Sequence, residues 1–307
     1  MNKPIPLLLG LLGLWLVGTS TWYYQSSCCA VASSSTAAAT STVVPTPAKA
    51  AATVVAAQID IQDAANFNSA ANDNLSFAPS AHSYSDDLSD TLNTVFNETV
   101  AYLNANPERS LRLTGGYGTD EVNNSILTTL GLGRANQVKK MLIDLGANDG
   151  QIELADRILT KADTLNGLLT NVVNYDFFTT PAPDVDRLAE VEQRLRANPL
   201  TLYFDTDAKT IDLTENQRQF FTDLTYYLSK KPNAGIRSTG HTDDRGKAES
   251  NNYLSRKRSE FVRDYLVNNG IQEEQIWVLY EGQEQPIADN ETSEGRALNR
   301  RVEVTLR

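Results

Sequence analysis

An internal repeat constrains this chain more than any other feature. Thr114-Gly115, a polar stretch, and then Leu130-Gly131-Leu132-Gly133-Arg134 with Val138, Met141, Leu142 and Gly146 recur downstream. The second occurrence runs Thr239-Gly240, a similar polar stretch, and Leu254-Ser255-Arg256-Lys257-Arg258 with Val262, Tyr265, Leu266 and Gly270. The upstream flanks correspond too, Leu75-Ser76-Phe77 and a helical stretch to Asn106-Pro107 against Leu202-Tyr203-Phe204 and a helical stretch to Lys231-Pro232. Self-similarity at this scale means one supersecondary unit used twice.

Each copy reads as strand, helix, strand, helix, then one or two strands. In the second copy Leu202 to Phe204 opens the unit, and Thr214 with Gln217 three residues on is a capping-box signature. Phe220, Phe221, Leu224, Tyr227 and Leu228 share one helical face, and Lys231-Pro232 ends that helix. Ile236 to Thr239 is a strand, Ser250 to Asn269 a helix stopped by Gly270, and Ile276 to Tyr280 and Val302 to Leu306 are closing strands. The expected class is α+β: two βαβαβ(β) domains, each a mixed sheet with helices on one face.

The chain has 307 residues, enough for two domains of ~120 residues once the first sixty or so are set aside. The divisions expected are an amino-terminal anchor or signal sequence (1–25), a linker (26–57), the first unit (58–178), a connector (179–198) and the second unit (199–307). Thr179-Thr180-Pro181-Ala182-Pro183-Asp184 is the turn-rich break, and a charged helix follows from Asp186 to about Ala197.

Pro4 to Tyr24 is nearly uncharged and rich in leucine; as a transmembrane helix it spans ~30 Å, the hydrocarbon thickness of a bilayer. Trp22, Tyr23 and Tyr24 suit an interfacial belt, and Lys3 orients the remainder outward. Two alternatives stay open: a signal peptide cleaved after Ala30-Val31-Ala32, and lipidation at Cys28. All three place the two units outside the cytoplasm, with inner and outer membrane unresolved. Ala30 to about Ala57 is almost wholly Ala, Ser, Thr, Val and Pro, a tether that cannot bury a core.

The formal net charge of −11 leaves no basic field for nucleic acid. The two cysteines, Cys28 and Cys29, are neighbours ahead of both units, so no disulfide framework holds the fold. With His82 and His241 as the only histidines, a zinc site of His and Cys has too few donors. No serine sits in a nucleophile elbow, and His241 beside Asp243 and Asp244 reads as a packed strand end rather than a catalytic group. No cofactor and no enzymatic activity are expected.

One residue stands out against this background. On the second helix of the second unit the apolar stripe runs Leu254, Phe261, Val262, Tyr265 and Leu266, and Arg258 lies on it, four residues after Leu254. A guanidinium there must be paired. Asp243, in the acidic turn Gly240-His241-Thr242-Asp243-Asp244-Arg245-Gly246, is the first-choice partner. The two form either a closed ion pair that fixes loop to helix, or an open zwitterionic cleft in which Arg258 takes a carboxylate and Asp243 an ammonium, as an amino acid would offer.

The ordered set Thr239-Gly240-His241-Thr242-Asp243-Asp244-Arg245-Gly246, Asn251-Asn252-Tyr253-Leu254-Ser255-Arg256-Lys257-Arg258, Pro286 with Asn290, and Gly295 to Val302 containing Asn299-Arg300-Arg301 resembles the OmpA/MotB C-terminal family over about Pro199 to Arg307. The resemblance implies noncovalent binding of the peptide stem of peptidoglycan, with Asp243 and Arg258 on the amino-acid head group of diaminopimelate. By position it implies Thr242, Asn251, Leu254 and Arg301 as lining of the same pocket, with Phe204 and Asp205 weaker candidates. Together with the amino-terminal segment from Lys3 to Tyr24, it leads to the expectation of a membrane-anchored envelope protein with its domains in the periplasm, tethered to the wall.

The first copy departs where the chemistry sits. Arg134 keeps the Arg258 position, but Gly118 or Thr119 falls on Asp243, so Asp120 reaches it only with a shifted loop. Asn171-Val172-Val173 replaces Asn299-Arg300-Arg301, and only Asn123 or Leu127 comes near Asn251. The expectation is a degenerate OmpA-like unit that keeps the fold without the ligand, its Arg134 satisfied internally by Asp120 or a carbonyl. Two other roles for the chain are a scaffold for other envelope proteins and a stator component of the MotB type. The latter needs an acidic residue in its membrane helix, which Pro4 to Tyr24 lacks.

Overall fold

Alternation of apolar residues and short turn signals dominates the start of the folded region, and the computed structural model, which describes residues 57–64, 66–85, 88–204 and 213–307, forms strands there. The segment from Pro4 to Tyr24, the linker to residue 56, Cys28, Cys29 and Asp205 lie outside the described residues. Among the described residues no helix is long and apolar enough to cross a membrane.

Strands β1 (Ile59–Asp63) and β2 (Phe67–Ala71) form an antiparallel hairpin. Helix α1 (Asp90–Ala105), capped by Ser89 through the Leu92 N–H, leads to β3 (Arg109–Tyr117) and α2 (Leu130–Asp144). Next come β4 (Ile152–Ile158), β5 (Asp163–Leu165), β6 (Leu168–Thr170) and β7 (Val173–Thr179). Asn166 and Gly167, both at positive φ, make the tight β5–β6 turn. The sheet is ordered β4-β3-β7, parallel between β3 and β4 and antiparallel between β3 and β7. The opening strand expected at Leu75 to Phe77 shrinks to isolated bridges from Phe77 to Tyr84 and Leu169. The Phe77 side chain is fully buried, so its packing role remains although the ladder is gone.

Helix α3 (Val185–Ala197) connects to β8 (Leu200–Tyr203), α4 (Glu215–Lys230), β9 (Ile236–His241), α5 (Ala248–Asn268), β10 (Ile276–Gly282), α6 (Ser293–Asn299) and β11 (Arg301–Leu306). The capping box of Thr214 and Gln217 is present at α4, and Gly270 follows α5 at φ +89. The sheet is ordered β10-β9-β11-β8, with β9 parallel to β10 and antiparallel to β11. A central strand with a parallel neighbour on one side and an antiparallel one on the other is thus common to both sheets, in a mixed α+β architecture.

The closest approach of helix to sheet falls at matching places. A Cβ on Gly115 would lie 1.9 Å from the Gly131 carbonyl oxygen, and one on Gly240 would lie 1.9 Å from the Ser255 carbonyl oxygen. This tight packing corrects the expected stripe on α5. The buried residues are Asn251, Ser255, Ser259, Val262 and Leu266, while Leu254 is 46% exposed. Only small side chains fit where α5 meets β9, and Ser259 Oγ bonds both the carbonyl and, at 3.0 Å, the hydroxyl of Ser238.

Each sheet covers its own core, yet the cores are joined. Ile126 and Leu127, from the loop ahead of α2, are buried in the second cluster with Phe221, Leu224 and Val302. Asn136 Nδ2 donates to the Asn269 carbonyl at 2.5 Å, and Lys230 Nζ to the Gly150 carbonyl at 2.9 Å. The described residues from Ala57 to Arg307 accordingly pack as one compact unit.

Candidate functional site

The turn after β9 is built by its own backbone needs. Thr242 N–H pairs with the Gly282 carbonyl at 2.8 Å, fixing the turn to the end of β10. Gly246 takes φ +98, a conformation that other residues enter only at a cost. Asn251, buried at the start of α5, donates through Nδ2 to the Asp243 carbonyl (3.2 Å) and to Gln283 Oε1 (2.7 Å), tying helix, turn and the loop after β10 together.

Asp243 is set by this frame. Its Oδ1 accepts the Arg245 N–H at 3.2 Å and its Oδ2 accepts Arg300 Nη1 at 2.9 Å. Arg258, half-buried on α5, donates Nη1 to the His241 carbonyl at 3.0 Å. Among the described residues no carboxylate forms a salt bridge with Arg258. The closed Asp243–Arg258 pair is therefore not formed, and Arg300 takes the carboxylate. Burial first, and the adjacent Arg300 cation second, push the Arg258 guanidinium below its ordinary value, while Asp243 opposes them.

Strand alternation explains why Arg300 and not Arg301 arrives here. Val302, Val304 and Leu306 are buried in the second core, so residues two apart from them point the same way. Arg300, at the head of β11, shares that parity, whereas Arg301 and Glu303 share the opposite one. Arg301 is 2% exposed, with Nε on Glu303 Oε1 at 2.7 Å and Nη2 on the Gln285 carbonyl at 3.1 Å. It supports the loop after β10 from the other side of the sheet. Arg300 escaped the sequence reading, although the parity of Val302 and Val304 carries the signal.

The remaining candidates divide. Leu254 stands one turn before Arg258 on the same helix face, at the exposed rim. Thr242 is buried, and its Oγ1 has no hydrogen-bond partner among the described residues. Asn299 clamps the loop before α6, accepting from the Ile287 and Ala288 N–H groups at 2.8 and 3.0 Å. Phe204 is buried edge-on against Phe261, with ring centroids 5.9 Å apart. His241 is buried with both ring nitrogens unpartnered among the described residues; burial, then Arg301, holds its imidazole below the ordinary value against Glu303.

The matching position of the first unit is filled differently. Arg134 is fully buried and donates Nη2 to Glu121 Oε1 at 2.6 Å and Nη1 to Glu121 Oε2 at 3.0 Å. Its Nη1 also reaches the Gly116 carbonyl and its Nε the Ala81 carbonyl. The carboxylate expected from Asp120 comes instead from Glu121, because Asp120 points into solvent on the turn that Gly118 begins.

Residues 203–300 match the family model described as the OmpA family. Outer membrane porin F of Pseudomonas aeruginosa is 37% identical over 35% of this chain, and peptidoglycan-binding protein ArfA of Mycobacterium tuberculosis is 43% identical over 26% of it. The chain spans only 30% of the length of that porin and 24% of that peptidoglycan-binding protein. The solved peptidoglycan-associated lipoprotein from Burkholderia pseudomallei is 30% identical over 36% of this chain and 92% of that chain, with a TM-score of 0.32. The turn bearing Asp243, the helix bearing Arg258 and the Asn299-Arg300-Arg301 element all fall within or beside the matched range, and through residues 203–300 this chain belongs to the OmpA family.

Proposed function

We propose that the second unit binds peptidoglycan noncovalently through the stem peptide, and that the chain tethers an envelope membrane to the wall. The observation that carries this reading is Arg258: a half-buried guanidinium that has no carboxylate partner among the described residues, next to a carboxylate held by another arginine. A ligand that brings its own carboxylate meets a planar donor set, and its ammonium adds to Asp243. A diaminopimelate-type head group has both. Asn251 acts by fixing the turn, Thr242 and Leu254 border the cleft, and Arg300 enters the site in the role first given to Arg301. The unit is a binding module, not an enzyme.

In the same reading, residues 58–178 are a degenerate copy of the 199–307 unit, joined by the 179–198 connector. Shared strand neighbours and the matching Gly115 and Gly240 approaches support that view. The anchor from Pro4 to Tyr24 holds the protein to a membrane with both units in the periplasm, and other envelope proteins are further partners.

Co-sedimentation of Thr53–Arg307 with purified sacculi tests the site. Asp243→Ala and Arg258→Ala are each expected to abolish retention while leaving the fold intact, since truncating one member of a desolvated charge pair costs ~2–5 kcal/mol of binding. Retention by both variants at the parental level sinks the proposal.

A further inference from the structure

We infer that the first unit contains a carboxylate-binding site occupied by its own side chain, with Glu121 as the resident ligand. Four N–H groups from three separate places converge on one carboxylate. Arg134 supplies two, the Gly118 N–H reaches Glu121 Oε2 at 2.8 Å, and the Ser80 N–H reaches Glu121 Oε1 at 2.8 Å. The Ser80 donor is held out at φ +61, an uncommon conformation for serine. Phe77 lies under the Arg134 guanidinium at 5.6 Å, closing the base.

A plain ion pair does not need such a receptacle. At the surface of this same chain Asp264 is met by the neighbouring Arg263 side chain and Glu260 by Arg256 and Lys257, with no backbone N–H among the described residues added to either pair. Here three of the four donors, the two on Arg134 and the one on Ser80, lie off the short exposed turn from Gly118 that carries the acceptor, whose neighbours Asp120 and Val122 are exposed, Val122 63% so. The receptacle is thus more firmly built than its occupant. In the second unit the equivalent turn sends no side chain to Arg258. The two units differ in whether the carboxylate comes from the chain or from outside. The ligand class for the first site is a small monocarboxylate or a carboxylate-bearing chain end, entering where the Glu121 side chain now lies. The donor geometry stands whether or not the second unit binds the wall.

Chemical rescue in the full chain tests this. Glu121→Ala is expected to lower the melting temperature by several degrees. Formate or acetate at ~100 mM is expected to restore roughly half or more of the loss in a saturable manner, as a bound ligand does, while chloride at equal ionic strength does not. Glu121→Ala with Arg134→Ala, and Glu121→Gln, whose amide still fills the space, are expected to show no recovery. Equal effects of formate and chloride, or recovery without Arg134, overturn the inference. Should Glu121→Ala fail to fold in chloride, refolding from urea in formate is the deciding measurement: recovery there supports the site, and failure in both salts overturns it. Sacculus retention is a separate readout that these outcomes leave untouched.

Discussion

Arg300 Nη1 donates to Asp243 Oδ2 across 2.9 Å, and both side chains are largely shielded from solvent. The strand that closes the sheet thereby fixes the turn that opens beside α5. A ligand arriving at Arg258 meets a carboxylate already oriented, and it does not have to order that group itself.

Adjacent arginines should therefore separate in their effects. Arg300→Ala frees Asp243 and is expected to weaken sacculus retention tenfold or more with little change in urea midpoint. Arg301→Ala strips the Gln285 carbonyl and Glu303 of their donor inside the fold, and is expected to cost about 1–3 kcal/mol of stability with retention per folded molecule unchanged. Identical profiles for the two variants would falsify the division of roles.

Arg134 and Arg258 form a second contrast. Arg134→Ala leaves the Glu121 carboxylate shielded and without its main partner, so a loss of about 3–5 kcal/mol is expected and wall retention stays intact. Arg258→Ala removes one bond to a backbone carbonyl, at about 0.5–1.5 kcal/mol, and abolishes retention. Chemical denaturation paired with sedimentation reads both axes; a stability loss at Arg258 as large as that at Arg134 would contradict it.

Stability should fall in two stages as the medium is acidified. His82 and His241 are both held below their ordinary value, chiefly by burial. A depressed folded pKa means that the unfolded chain takes up the proton first, so their contribution is complete above about pH 6.5 and is lost as pH falls below it. At Glu121 burial alone would raise the carboxyl, but Arg134 and the Gly118 and Ser80 N–H donors outweigh it and hold it below the usual range. That part is complete above pH ~4.5 and is lost below. Melting temperatures from pH 8 to 3 should show both declines, and His241→Gln should reduce the upper one. A flat profile between pH 7 and 5 would exclude the histidine part.

Gly240→Ala should act through packing alone. The added carbon would overlap the Ser255 carbonyl oxygen, so α5 must lift from β9, at about 1–3 kcal/mol. Gly115→Ala should do the same through Gly131. A midpoint shift at both, with retention per folded molecule unchanged, is the expected pattern in denaturant titrations and sedimentation. Wild-type midpoints for both alanine variants would mean that the helices already stand off from their strands.

Features legible in the sequence are local, and those that are not depend on two or more elements at once. Thr214 and Gln217 are three residues apart, and their capping box needs nothing beyond the first turn of α4. Gly270 ends α5 for an equally local reason. Leu254, by contrast, belongs on a buried stripe by its apolar character, whereas the spacing between α5 and β9 admits only Ser255 and Ser259 there. The partner of Asp243 depends on which way two successive arginines face, a question of strand parity over the whole of β11. The β1–β2 hairpin is hidden because Ile59 and Ile61 alternate with polar residues in β1 while its partner β2, Phe67–Ala71, follows Phe67 with small and polar residues that carry no strand signal of their own.

The burial of Ile126 and Leu127 among residues of the second core changes what deletion experiments on this chain can mean. A cut anywhere between residues 179 and 198 strips cover from the half that carries Arg258, and it exposes two large apolar side chains on the other half. A truncated second unit that sediments poorly, aggregates or loses the wall would thus report a missing lid, with its ligand chemistry intact. Whatever the first unit binds, selection acting on the second already has a reason to keep it.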